Sequence, residues 1–245
     1  MMLAVLFFFV ALIYASIGFG GGSSYLALLI MWGVPFAILP VIALSCNISV
    51  VVGNSINYYR HQQINWTLFY PLALSSVPMA FIGGLLPISK NLFIWLLAIS
   101  LLLSGIKLVY DALGHADDID NIKPMTIWQT SLLGGCLGLL SGMVGIGGGI
   151  FLAPILYYLR AGTARHIAST ASLFILVNSI SGLLGQLTKQ WQLQELVSYW
   201  PLLIAVIVGG QMGTRLSINW FKPKGLALLT GLLVLFVALR LLLKL

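Results

Sequence analysis

The chain has 245 residues, of which 60% are hydrophobic and 7% charged, with a formal net charge of +7 at pH 7 and a mean hydropathy of +1.06. Soluble domains carry about 25% charged residues, so a water-soluble globular protein is excluded and a polytopic membrane protein is required. The basic residues stand singly at the ends of apolar segments and form no stripe for nucleic acid; they set membrane orientation instead.

Residues 1–59 contain no Lys, Arg, Asp or Glu. A secretory leader needs a basic start, so the N-terminus reads as a retained first membrane segment. Residues 2–31 form one apolar run, which as a straight helix would be about 45 Å long against a hydrocarbon core of roughly 30 Å. Gly18-Phe19-Gly20-Gly21-Gly22-Ser23-Ser24 interrupts that run. Each glycine costs a helix about 1 kcal/mol relative to Ala, so this stretch predicts a deliberate break. Residues 36–59, 66–86 and 91–110 are the next spans, with Trp66 and Tyr70 suited to an interface belt and Lys107 able to snorkel.

Residues 111–124 hold Asp111, Asp117, Asp118 and Asp120, four of the five carboxylates, without apolar periodicity. Their spacing lacks the glycine and closing Glu of a calcium loop, which leaves a solvated acidic linker. It divides the chain into a first transmembrane repeat at 1–110 and a second at 125–245. In the second repeat, residues 126–158 are again too long for one span and are broken at Gly145-Ile146-Gly147-Gly148-Gly149, 127 positions after the first cluster. Spans at 165–188, 196–215 and 225–243 follow. Gly53 aligns with Gly182, Pro71 with Pro201 and Gly83 with Gly213 once short insertions are allowed, so the halves are an internal duplication.

Two topologies compete. If both broken segments cross fully, there are eight spans in parallel repeats, and the basic residues divide six against six. If each is a re-entrant helical hairpin with arms of about 15 residues, the repeats are inverted. Arg60, Lys107, Lys123, Arg160, Arg165, Arg215, Lys222 and Lys224 then share one side, against Lys90, Lys189, Arg240 and Lys244. Eight against four satisfies the positive-inside rule. The expected fold is therefore all-α and polytopic, with two inverted repeats of four hydrophobic segments and both termini outside the cytoplasm.

Irregular backbone at membrane depth is tolerated only where protein buries it or a wet cavity meets it. A helix starting at each glycine cluster presents unpaired N–H groups and about half a positive charge, an anion site without a buried cation. The candidate substrate-binding residues are Gly20, Gly21, Gly22, Ser23 and Ser24 in the first half, with Gly147, Gly148, Gly149 and Ile150 in the second. Ser45 and Asn47, with Thr170 and Ser172, add neutral polar groups from the second span of each half. Ser45 and Ser172 match at the same offset as the glycines. Gly134, Gly138 and Gly142 instead form a small-residue packing ridge. His61 and His166 have no sequence-near ligand partners, and Cys46 and Cys136 lie in apolar runs, so no metal, cofactor or disulfide is expected. No carboxylate lies inside any hydrophobic segment, which disfavours a carboxylate proton relay.

The two glycine clusters resemble those of the TauE/SafE sulfite exporter family. In the second half the resemblance runs through Gly142-Met143-Val144-Gly145-Ile146-Gly147-Gly148-Gly149-Ile150-Phe151-Leu152-Ala153-Pro154 and Ala168-Ser169-Thr170-Ala171-Ser172. The first half departs from it, with Ala27 where Pro154 would map. The resemblance implies a multi-pass protein of the bacterial inner membrane that exports sulfite or a related sulfur-containing oxyanion or organosulfonate. Outward movement of one negative charge releases about 2.3 kcal/mol per 100 mV, so membrane potential or the substrate gradient suffices as a driving force. The implied partners are a small anion and the lipid bilayer, with no nucleic acid; a homo-oligomer is compatible with the sequence. Two alternatives stand beside this reading: an anion channel and an intramembrane enzyme. The second is the weaker, because no buried Asp pair is present and Gly138-Leu139-Leu140-Ser141-Gly142 lacks the nucleophile-elbow spacing.

Overall fold

The structure, a computed structural model, describes residues 2–110, 113, 122–123, 125–189, 196–216, 228, 231–232, 235–236, 238–239 and 242–243. Most of the expected acidic linker and of the expected last span lie outside the described residues. The elements are α1 (Met2–Ile17), α2 (Gly22–Met31), a short 3-10 turn (Phe36–Ile38), α3 (Leu39–Arg60), α4 (Trp66–Leu85), α5 (Lys90–Tyr110), α6 (Ile127–Val144), α7 (Gly149–Tyr158), α8 (Ala164–Leu187) and α9 (Trp200–Leu216). Four of them, α3, α4, α6 and α8, are long and apolar enough to cross a membrane. The fold is all-helical among the described residues, as the composition requires of a chain whose backbone groups must pair within the bilayer.

How the helices begin separates two kinds. Several are capped by side chains: the Leu68 N–H donates to Asn65 Oδ1 at 3.2 Å at the start of α4, Thr126 and Gln129 form a capping box before α6, and the His166 N–H donates to Thr163 Oγ1 at 3.3 Å at the start of α8. These caps satisfy N–H groups that have no intrahelical acceptor. By contrast, α2 and α7 begin at Gly21 (φ 84°) and Gly148 (φ 78°), both left-handed and without a side-chain cap. Glycine is needed at both, because a Cβ penalises that conformation. Both predicted breaks are thus real discontinuities, from Gly18 to Gly21 and from Gly145 to Gly148.

At each break the chain turns back on itself. Phe7 and Tyr25 stack with ring centroids 4.7 Å apart, although an advance of 18 residues along a straight helix would separate them by about 27 Å. A Cβ on Gly21 would lie 3.2 Å from Val10, and one on Gly148 would lie 3.5 Å from the Leu137 carbonyl, the same eleven-residue return in each half. In the second half, moreover, the Lys123 N–H before α6 donates to the Arg160 carbonyl after α7 at 3.0 Å. The arms are unequal, with 16 and 10 residues in the first half and 18 and 10 in the second. The longer arms reach about 24 and 27 Å, against about 22 Å for the expected arms of about 15 residues.

Side-chain bonds fix which helix ends lie together. Ser169 Oγ donates to the Gln63 carbonyl at 2.7 Å, and Thr214 Oγ1 donates to Asn54 Oδ1 at 2.7 Å. Arg60, Arg165 and Arg215 therefore gather at one end of the bundle. Lys189 Nζ donates to the Leu86 carbonyl at 3.1 Å, at the opposite end. Burial also holds the Lys189 amine below its ordinary lysine value.

Packing interchanges the halves. Helix α4 lies chiefly against α6 and α8, and α1 lies against α9. Gly134, Gly138 and Gly142 receive the backbone of Leu72, Ser76 and Ala80, so the glycine ridge of α6 seats α4. In the same way Gly209 and Gly213 on α9 receive the carbonyls of Phe8 and Leu12 on α1. Small residues let the backbones approach where lipid supplies no hydrophobic drive. The lipid-facing surface is apolar, with Leu74, Trp128 and Leu132 all more than two-thirds exposed.

Candidate functional site

Helices α3 and α8 cross between the two breaks and bring them into contact. Asn47 on α3 is fully buried, and its Nδ2 donates to the Ile146 carbonyl in the second break at 2.8 Å. The same amide lies against Gly20 and Gly22 of the first break, where any Cβ would overlap it. A Cβ on Gly22 would also come within 2.8 Å of the Ile146 carbonyl. One side chain thus ties two backbone interruptions 127 residues apart in sequence.

Between them is a narrow cavity of about 10 Å³, lined by Tyr14, Phe19, Gly20, Gly21, Gly22 and Ser23 from the first half and by Ile146, Ile150 and Ile175 from the second. That is room for about one water molecule. Ser24 is buried behind the lining and its Oγ shares a 2.9 Å hydrogen bond with Tyr14 Oη. The first-half wall therefore carries hydroxyls, whereas Ile150 and Ile175 give the second-half wall its apolar character. No Lys, Arg, Asp or Glu lines the cavity among the described residues, so its electrostatics come from helix starts and neutral dipoles.

The remaining candidates lie in the surrounding shell. Gly147 abuts Asn47, Ile175 and Ser179; Gly148 abuts Phe174 and Ser141; Gly149 abuts Ile175 and the Ala171 carbonyl. Ser172 Oγ is 3.4 Å from Ser55 Oγ on α3, nearer the arginine end. Thr170 is fully buried with an unpaired Oγ1, and Ser45 is half-buried. None of these three lines the cavity. Contacts also fix how α3 and α8 correspond: Gly20 meets Asn47 and Val51 as Gly147 meets Ile175 and Ser179. That is an offset of 128 (175 − 47 and 179 − 51), one more than between the glycines. Asn47 is consequently matched by an isoleucine, and Ser179 by a valine.

Tyr14, Phe19, Ile146 and Ile175 line the cavity without being sequence candidates, and Ser141 joins the shell through Gly148. Tyr14 is legible in part, as a hydroxyl within an aliphatic run. Among the described residues, Asn47 Oδ1, Ser141 Oγ, Asn178 Oδ1, Ser179 Oγ and Tyr25 Oη are buried side-chain atoms without a hydrogen-bond partner. Asn54 Nδ2 and Thr170 Oγ1, farther from the breaks, are likewise without partners, whereas buried polar groups normally find them.

Comparison with known proteins identifies the family. The family described as Sulfite exporter TauE/SafE matches residues 3–241. A probable membrane transporter protein from Sinorhizobium fredii (strain NBRC 101917 / NGR234) is 31% identical, over 98% of this chain and 97% of its own. Another from Methanocaldococcus jannaschii is 28% identical over 76% of this chain and 72% of its own. No solved structure matches. With a family match over nearly the whole length and a relative of that similarity, the chain belongs to the sulfite exporter TauE/SafE family and is a multi-pass membrane transporter.

Proposed function

We propose that the protein is a carrier that exports a small oxyanion, sulfite or a related sulfur-containing anion or organosulfonate, across a bacterial inner membrane, and that it is not an enzyme. The observation that carries the reading is the meeting of two uncapped, glycine-started helices, α2 and α7, at the Asn47 amide. Such helix starts offer N–H groups and positive dipole ends to an anion without the cost of burying a cation. The doubled-back broken segments support re-entrant hairpins, and the gathering of Arg60, Arg165 and Arg215 opposite Lys189 supports inverted repeats with the arginine end cytoplasmic. The family description supports sulfite as the anion.

The narrow centre favours a carrier over a channel. A continuous pore needs a wide lumen, whereas about 10 Å³ between the breaks describes a closed state. Binding an anion there requires the two breaks to part by the width of the ligand, the rocking of one repeat against the other that alternating access uses.

The test is efflux of sulfite from proteoliposomes. Wild-type protein gives saturable efflux accelerated by sulfite on the far side, and Gly21→Leu or Gly148→Leu reduces it to the empty-vesicle background while still inserting. Unimpaired efflux from either variant would reject the site, and non-saturable flux would reject the carrier.

A further inference from the structure

A set of buried polar groups on α6 and α8, Ser141, Asn178 and Ser179, does not line the anion cavity. Helix α8 turns one face towards that break: Ala171, Phe174, Ile175 and Ser179 touch Gly147, Gly148 or Gly149, and Gly182 touches Gly142. Asn178 sits on the same face, between Phe174 and Gly182 at helical spacing. Opposite it, Ser141 on the last turn of α6 lies against Gly148, with its Cβ 3.3 Å from where a glycine substituent would be. A Cβ on Gly147 would be 2.8 Å from Ser179 Oγ. Ser141 Oγ, Asn178 Oδ1 and Ser179 Oγ are all fully buried, and all three lack a hydrogen-bond partner.

The chemistry of these atoms is specific. Asn178 Nδ2 donates to the Phe174 carbonyl at 2.9 Å, which fixes the orientation of the amide and leaves its oxygen as an acceptor only. The two hydroxyls can each turn a lone pair towards the second break, since Ser141 lies against Gly148 and Ser179 against Gly147. They lie beside the C-terminal end of α6, the negative end of that helix's dipole; of its last four carbonyls, Ser141 accepts from the Gly145 N–H at 2.8 Å and Gly142 from Gln186 Nε2 at 3.0 Å, which leaves those of Met143 and Val144. Uncharged hard oxygens at a negative dipole end suit a hard cation, not an anion. Because no carboxylate contributes, the charge balance suits a monovalent ion. The close packing of Gly147, Gly148 and Gly149 against α8 limits its size.

We propose that Ser141, Asn178 and Ser179, with carbonyls from the end of α6, bind a sodium-sized monovalent cation at the second break. The site is separate from the anion cavity and does not depend on which anion is carried. Its effect is to place a positive charge one helix break away from the bound anion, making occupancy of the two sites mutually favourable.

The experiment measures thermal unfolding of the full-length purified protein in sodium, potassium or choline chloride at equal ionic strength, with no sulfur anion present. Sodium is expected to raise the midpoint by about 3 °C or more in a saturable manner, as selective binding to the folded state requires. Ser179→Ala and Asn178→Leu each abolish the rise, whereas Thr188→Ala, at the far end of α8, keeps it. If either variant fails to fold, ²³Na NMR line broadening by the wild type, reversed by lithium and not by choline, supplies the readout. Equal midpoints in the three salts, a shift as large with potassium as with sodium, a sodium shift that survives both substitutions, or no sodium line broadening would each overturn the site.

Discussion

The two glycine breaks share the conformation of their first and last glycines, differ at Gly147, whose φ of 86° has no left-handed counterpart at Gly20, and differ in their side chains. Gly18 and Gly21 carry left-handed φ angles of 90° and 84°, and Gly145 and Gly148 repeat them at 80° and 78°. Each is followed by a ten-residue helix without a side-chain cap. Around the first lie Tyr14, Ser23, Ser24 and the Asn47 amide; around the second lie Ile150, Ile175 and, one shell out, Ser141 and Ser179. The uncapped helix starts recur in both halves, while the polar groups around them differ. In the proposed reading the backbone sets where a solute is held, and the unequal side chains set what is held on each side.

The comparison breaks outright if the halves are parallel. Single cysteines at His61 and Thr163 should react with an impermeant thiol reagent from one face of sealed vesicles, and one at Lys189 only from the other. Labelling of His61 and Thr163 from opposite faces would remove the inverted relation. A smaller effect is expected from the link between the breaks. Asn47→Leu deprives the Ile146 carbonyl of its donor, a loss of about 1–3 kcal/mol for a buried group. Efflux should fall at least about tenfold, together with a lower unfolding midpoint; an unchanged midpoint would mean that the tie contributes nothing. The smallest effect concerns the unequal walls. Ser23→Ala should raise the KM for sulfite about threefold to tenfold, the cost of about one hydrogen bond, while Ile150→Ala leaves KM within twofold. Equal responses would make the two walls chemically equivalent.

Much of this was legible in the chain itself. Four glycines in five positions within a lipid-length run have no other physical outcome than a break, and their recurrence announced the duplication. The α6 glycine ridge was equally plain, because small residues at four-residue spacing line one helix face. The pairing of α3 with α8 was not. Matching Ser45 to Ser172 assumes that the 127-residue offset continues past the breaks, but α3 begins through a 3-10 turn at Phe36–Ile38 whereas α8 begins directly at a Thr163 cap. With that difference in connection the correspondence shifts by one residue, and one residue of helix is about 100° of rotation. Which polar side chain faces a break is therefore decided by the connection and not by the motif. The arms were expected at about 15 residues each, although a run over residues 2–31 interrupted from Gly18 onwards already leaves a longer first arm and a shorter return, as the 16- and 10-residue helices show.

The claim at the centre is that an anion is held where α2 and α7 begin. Selenite has the shape and charge of sulfite and scatters anomalously, so crystals of the protein grown with it locate the anion directly. The account predicts a selenium peak between the first turns of α2 and α7, within reach of Ser23 and beside Asn47. Selenium found only among Arg60, Arg165 and Arg215, with none at the breaks, would contradict it.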